Sequence, residues 1–252
     1  MTAPKASKTI IKGVSLLRHL AGGTNTVTDV ASARDLSKAT THRLLKSLET
    51  SRLAVQDPIT RQYFLGPLIF ELASSSLAAH QALIMCASED MAALRELSGE
   101  TVALYIRIGL ERICVEEVPS RATIRFTVGK GGVFPLYVGS SGKVLLSELA
   151  DPDLNLLVSH LHLAPVGPET ITNRGVFLKE VKKTRKQGYA TSFSERVPGG
   201  ASICVPIHNY VCPVALSVLG PDNRFTREAM MRLLGSIKAG AARISRKLAS
   251  VR

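Results

Sequence analysis

Long apolar runs are missing from this chain of 252 residues. No stretch reaches the roughly 18 consecutive apolar residues of a membrane-spanning helix, and the N-terminus lacks the apolar core of a secretory signal. The expectation is a cytoplasmic protein with no membrane partner. Cysteine is scarce: Cys86, Cys114, Cys204 and Cys212 are the only four, and no two have CxxC spacing. Their apolar, strand-like surroundings point to buried free thiols. No GxSxG elbow is present, so the commonest serine-hydrolase signature is absent. Gly139-Ser-Ser-Gly-Lys143 resembles part of a phosphate loop. Walker A, however, needs glycine five places before the last glycine; Tyr137 stands there, and Val144 follows the lysine. The GKGG segment at 129–132 is a turn signal. His160 and His162 have no nearby cysteine or acid to complete a metal site, so they read as solvated histidines. No cofactor is expected, and the chain does not read as an enzyme.

Acidic residues are also in short supply, 20 against 32 Lys and Arg, for a formal net charge of +12. Residues 1–75 carry +5 of this, and the rest is spread over the remainder. Such an excess favours polyanions through counterion release without naming a sequence. The length supports two domains and a sizeable core, and no internal repeat is visible.

Residues 27–66 read as helix, turn, helix and hairpin, the layout of a winged helix-turn-helix. Upstream, Ile10, Val14, Leu17 and Leu20 recur at helical spacing and predict one apolar face. Val30 and Ala31 belong to a second, short helix capped by Thr26 or Thr28. Asp35-Leu36 makes the turn, and the hydroxyl of Ser37 caps a third helix, SKATTHRLLKSLE. On a helical wheel Thr41, Leu44, Leu45 and Leu48 cluster on the inner side. Lys38, Ala39, Arg43, Lys46 and Ser47 lie outward, flanked by Thr40 and His42. That face is small, polar and basic, as a helix reading the major groove requires. Plain solvation would also place two basic residues outward; the turn and the hairpin favour the groove. In the wing, LAV at 53–55 and YFL at 63–65 are strand-like, with a turn opening at Asp57-Pro58. Arg52 and Arg61 would face the phosphate backbone or a minor groove, or simply keep a sheet edge soluble.

Residues 1–66 are therefore taken as the DNA-binding domain, 67–98 as a helical linker and 99–252 as a second domain. The linker reads as one long helix or two, with Leu68, Leu72, Leu83, Met91, Leu94 and Leu97 as apolar contacts. Pairing with a second copy, through the N-terminal part, is expected. In the second domain TVALYIRIG, RICVEEV and TIRFTVG predict a meander. SGKVLLSEL and VFLKEVKKTRKQG predict helices, GYATSFS, SICVPIH and PVALSVLG later strands, and 226–249 a terminal helix capped by Thr226. Hairpin-joined strands with helices imply an antiparallel α+β sheet flanked by helices.

SKATTHRLL, YFLGP, GETVAL, GSSGKVLL, GYATSFSE and PGGASICVPI, in that order and spacing, resemble the IclR-type transcriptional regulators. The likeness runs from about Thr9 to Ala249. It implies a winged-helix reader joined to a GAF-like effector-binding domain, working as a homodimer or homotetramer on a double-stranded DNA operator. It also implies a response to a small organic acid or aromatic metabolite. By the same resemblance Gly139, Ser140 and Ser141 form the effector loop, whose amides suit a carboxylate. Ser192, Gly200, Ser202 and Ser217 line the pocket; Tyr105, Phe126 and Tyr137 are candidates for its apolar walls and Arg125 for an anion partner. The sequence departs from the family where glycine is common at the turn (Asp35), where Val is common in the third helix (Thr41), and at Ser192-Phe-Ser-Glu195 and Leu219 in the pocket. These last changes imply a different ligand or a weakened pocket. The alternative is a GAF-like sensor or redox enzyme with a basic interaction module, which the lack of basic groups beside the cysteines disfavours.

Overall fold

A computed structural model describes residues 6–23, 25–78 and 80–251, the side chains of 73–78 aside. The chain forms two compact units, the second beginning at His80. The 67–98 stretch is two helices, α4 (Pro67–Ala78) in the first unit and α5 (Gln81–Ser98) in the second.

The first unit is built from α1 (Lys8–Leu20), α2 (Val27–Ala33), α3 (Lys38–Thr50), the hairpin β1 (Ala54–Gln56) and β2 (Tyr63–Leu65), and α4. Thr26 and Ser37 accept the amides of Asp29 and Thr40 and so cap α2 and α3. Leu16, Leu20, Val30, Leu44, Leu45 and Tyr63 form the core. The buried stripe of α1 is Gly13, Leu16 and Leu20. The predicted phase therefore needs correcting: Ile10 and Val14 face solvent, beside Ile11. Helix α1 packs against α2, α3 and β2 along one narrow stripe, and it carries more apolar residues than that stripe uses. In α4 Leu72 is likewise exposed.

The second unit centres on a six-stranded sheet in the order β5-β4-β3-β8-β7-β6. Its strands are β3 (Thr101–Ile108), β4 (Glu111–Val118), β5 (Val133–Pro135), β6 (Ala190–Phe193), β7 (Gly200–Ile207) and β8 (Val214–Pro221). Every pairing is antiparallel. One face packs on α5 and α9 (Arg227–Ser250), where Leu83, Met91, Leu94, Ile237 and Ile244 are buried. Leu97, expected to join them, is exposed near the helix end. The other face packs on α6 (Gly139–Ser147), α7 (Asp151–His160) and α8 (Arg174–Gln187), around Val144, Leu145, Leu154 and Phe177. Alternation along the strands serves both layers, so central β8 is buried throughout. His160 ends α7, and His162 follows it in a loop.

The third member of the expected meander is absent. Residues 121–132 form a loop, and Val133–Pro135 takes the place beside β4. Gly129 and Gly131 have φ of 74° and 78°, which an extended strand does not allow. The carboxylate of Glu117 takes the amides of Val128 and Gly129 at 2.7 and 3.0 Å in place of a strand partner.

Candidate functional site

The outer surface of α3 carries Lys38, Ala39, His42, Arg43, Lys46 and Ser47, all exposed, with Thr40 half-buried. Thr41, Leu44 and Leu45 anchor the opposite side. Asp35 adopts φ 49° in the turn before α3, so it fills the left-handed position without glycine. Arg43 makes no ion pair among the described residues, whereas Lys46 is held by Glu49 at 2.7 Å. Ser37 is occupied as the cap, and Ser47 donates to the carbonyl of Arg43 at 3.1 Å.

The wing loop is set by Asp57, whose carboxylate accepts the amides of Thr60 and Ile59. Those bonds, Thr60's first, hold the carboxyl below its ordinary range. Arg61 is exposed near the tip with φ 60°. Arg52 is bound to Glu71 of α4, so its charge is already partly answered within the unit.

In the second unit a pocket of about 50 Å³ opens on the sheet face that carries α6. On a scale where one water takes roughly 10–15 Å³, this is space for about four waters. Its floor comes from sheet register: Ser192 of β6 pairs with Ser202 of β7, which pairs with Leu219 of β8. Ser217 and Tyr105 lie along the same face, and Phe126, Val128, Val197 and Gly200 close the sides. The first turn of α6 enters from above, where the Ser140 and Ser202 hydroxyls are 2.7 Å apart.

Glycine is required twice here. Gly139 has φ 83°. A Cβ on Gly142 would lie 1.8 Å from the carbonyl oxygen of Leu136. The Gly139 amide donates to Glu195 Oε2 at 2.9 Å. The following amides, of Ser140 and Ser141, open the helix where intrahelical acceptors are lacking.

Two residues expected in the pocket lie elsewhere. Tyr137 turns its hydroxyl to the carbonyl of Ala164 at 3.0 Å and packs in the core with α6–α8. Arg125 is exposed and donates to the carbonyl of Ala122, because its segment is a loop and not a strand.

The pocket instead contains Arg112 and Arg196, which sequence reading passed over. Arg112 is 4 % exposed. Burial first, with Arg196 nearby, lowers its pKa to about 10, so it stays charged at neutral pH. Its signal was available: in RICVEEV the period of two puts Arg112 on the face of Cys114, an inward position unusual for a lone cation.

Of the four cysteines expected to be buried, Cys114 and Cys204 are, while Cys86 and Cys212 are half-buried. Burial pushes the Cys114 thiol up to about 12 and raises that of Cys204 as well. Among the described residues no His, Cys, Asp and Glu cluster could hold a metal. Among them, too, no helix is long and apolar enough to cross a membrane.

A helix-turn-helix with a β-hairpin, followed by a helix-flanked antiparallel sheet with a serine-lined pocket, defines a transcriptional regulator of the DNA-binding, ligand-sensing class. Residues 9–58 match the IclR helix-turn-helix domain, and residues 76–246 match the bacterial transcriptional regulator IclR C-terminal domain. The chain belongs to the IclR family. It is 30% identical over 231 residues to the HTH-type transcriptional repressor AllR of Salmonella typhi, covering 90% of this chain and 85% of that one. AllR of Escherichia coli K12 is 30% identical over 230 residues, covering 90% and 84%. The crystal structure of the Thermotoga maritima IclR superposes with a TM-score of 0.78 at 26% identity, covering 96% of this chain and 98% of that one. An IclR homolog from Microbacterium hydrocarbonoxydans, complexed with 4-hydroxybenzoate, shares the fold with a TM-score of 0.77 at 21% identity, covering 96% and 100%.

Proposed function

We propose that this regulator represses transcription by laying α3 in the major groove of its operator, and that a small organic carboxylate bound beside α6 modulates that binding. Arg43 and its neighbours Lys38, Ala39, Thr40, His42 and Ser47 read or approach the bases, while Arg61 contacts the backbone. Lys46 and Arg52 contribute less, since each already faces an acid within the first unit. Repression is supported by the function named for the AllR relatives.

The observation that carries the effector reading is the pocket itself. It gathers Ser140, Ser141, Ser192, Ser202 and Ser217 around the amino end of a helix, with Tyr105 and Phe126 as apolar wall. Its volume favours a compact acid over an aromatic one. Dimerisation through the first unit is supported by exposed Ile10, Ile11 and Val14 on α1 and Phe70 and Leu72 on α4. The site of action is the cytoplasm, where bacterial DNA lies.

Two variants test this. Ser140→Trp fills the pocket and is expected to abolish the response to small organic acids while operator binding persists. Arg43→Ala is expected to weaken operator binding while binding of the small acid persists. Full effector binding by Ser140→Trp in calorimetry would remove the pocket assignment.

A further inference from the structure

Arg112 and Arg196 are two like charges in one pocket, and neither makes a salt bridge among the described residues. Their guanidinium carbons lie 5.5 and 4.8 Å from the centre of the Phe134 ring, and that of Arg112 lies 5.6 Å from the centre of Tyr105. Arg112 donates through Nη1 to the carbonyl of Pro135, and its buried Nε has no partner. No carboxylate comes within ion-pair distance of either arginine among the described residues. The charge of Glu195 acts on Arg112, but that carboxylate is already committed. One of its oxygens holds Lys143 and the other the Gly139 amide. The Lys143–Glu195 pair cancels, and two positive charges remain at the wall of a small pocket.

A buried cation without a counter-charge is costly, and aromatic faces compensate it only partly. The site therefore favours an anion. Position says where the anion sits: a Cβ on Gly139 would lie 3.4 Å from Nη2 of Arg112, so the guanidinium rests against the start of α6. Arg112 therefore lies beside the first amides of α6, and Arg196, less buried, lines the same pocket, so both guanidiniums face one small space.

We propose that Arg112 and Arg196 determine the specificity of this pocket, and that its ligand is a compact dicarboxylate of about two to four carbons. One carboxylate is held by Arg112 and the first amides of α6, the other by Arg196. This rests on the reading of the pocket as the effector site and adds the ligand's charge and length.

The test is calorimetry on the full chain at pH 7.5, where both carboxyls of each diacid are ionised. Malonate and propionate are titrated as one pair of equal length, succinate and butyrate as another, with inorganic phosphate as a separate probe. Each diacid is expected to bind at least about tenfold more tightly than its monoacid, the gain of one charge-assisted contact. Arg196→Gln is expected to bring the diacid down to the monoacid, weakening the diacid far more than the monoacid. Arg112→Met is expected to lose both; should it not fold, the half-buried Arg196 still decides the matter.

Equal binding of monoacid and diacid overturns the proposal, as does an unchanged ratio in Arg196→Gln. So does phosphate binding as tightly as the diacids, or failure of every diacid to bind. Ser140→Trp separates this from failure of the effector reading. If it removes monoacid binding, the pocket stands and only its charge selectivity is wrong. If it leaves all binding intact, the pocket assignment falls too.

Discussion

Lys143 and Glu195 neutralise each other inside the second unit, their side chains only 4% and 7% exposed. The lysine also donates to the carbonyl of Thr191 at 3.2 Å, and Glu195 accepts the Gly139 amide. The pair thereby fixes the start of α6 against β6 and the loop that follows it, the two walls of the pocket. Breaking it leaves a buried charge alone. Glu195→Gln is expected to lower stability by about 3–5 kcal/mol in chemical denaturation. Replacing both partners with apolar residues, as Lys143→Met with Glu195→Leu, is expected to recover most of that loss. If Glu195→Gln costs no more than an exposed pair does, the ion pair is not holding the loop.

Thr41 offers an opposite case. It is fully buried in α3, and its hydroxyl has no hydrogen-bond partner. Thr41→Val removes an unsatisfied polar group at nearly constant volume, and it is expected to raise stability by about 1 kcal/mol. Thermal denaturation of the full chain measures it. A loss of stability would mean that the hydroxyl is satisfied in solution.

The two arginines flanking the reading head should differ. Arg43→Ala is expected to weaken operator binding by about 1–3 kcal/mol, roughly five- to 150-fold, in fluorescence anisotropy. Arg52→Ala is expected to cost markedly less, because Glu71 already takes its guanidinium. Equal losses at both positions would mean that Arg52 leaves Glu71 for the phosphates on binding.

Gly142→Ala tests the close approach at α6. The added Cβ would meet backbone, not a movable side chain, 1.8 Å from the Leu136 oxygen. A loss of about 3 kcal/mol or more is expected, together with loss of effector binding, since the helix start must shift. A variant of normal stability would show that this turn is looser than its geometry.

Much of the first unit was legible in the sequence because its signals are local. Ser37 caps α3 and Thr26, one of two candidates, caps α2, Asp35 tolerates the left-handed turn, and Thr41 with Leu44, Leu45 and Leu48 phases α3. The α1 phase was not legible. Ile10 and Val14 keep helical spacing with Leu17, but which stripe is buried depends on where α3 lies. The pocket serines were reached through family resemblance and meet through register, Ser192 opposite Ser202 and Ser202 opposite Leu219. Arg125 stood as the anion candidate on the segment TIRFTVG, which alternates like a strand, and Arg112 was passed over. The amides of Val128 and Gly129 instead turn to the Glu117 carboxylate, a side-chain interaction that no periodicity reveals. Arg196 follows the irregular β6 end, where Ser194 has φ 50°, and its position depends on that bend.

The most direct measurement is binding of the full chain to fragments of DNA flanking its own gene, at about 50 and 200 mM salt with competitor DNA, with and without malonate or succinate. The expected result is one fragment retained at the higher salt, with its affinity changed by the diacid in wild type and unchanged by it in Ser140→Trp. Equal binding to all fragments that vanishes with salt, and no effect of either acid, would contradict a ligand-responsive operator reader and leave only the attraction of a chain with net charge +12 for a polyanion.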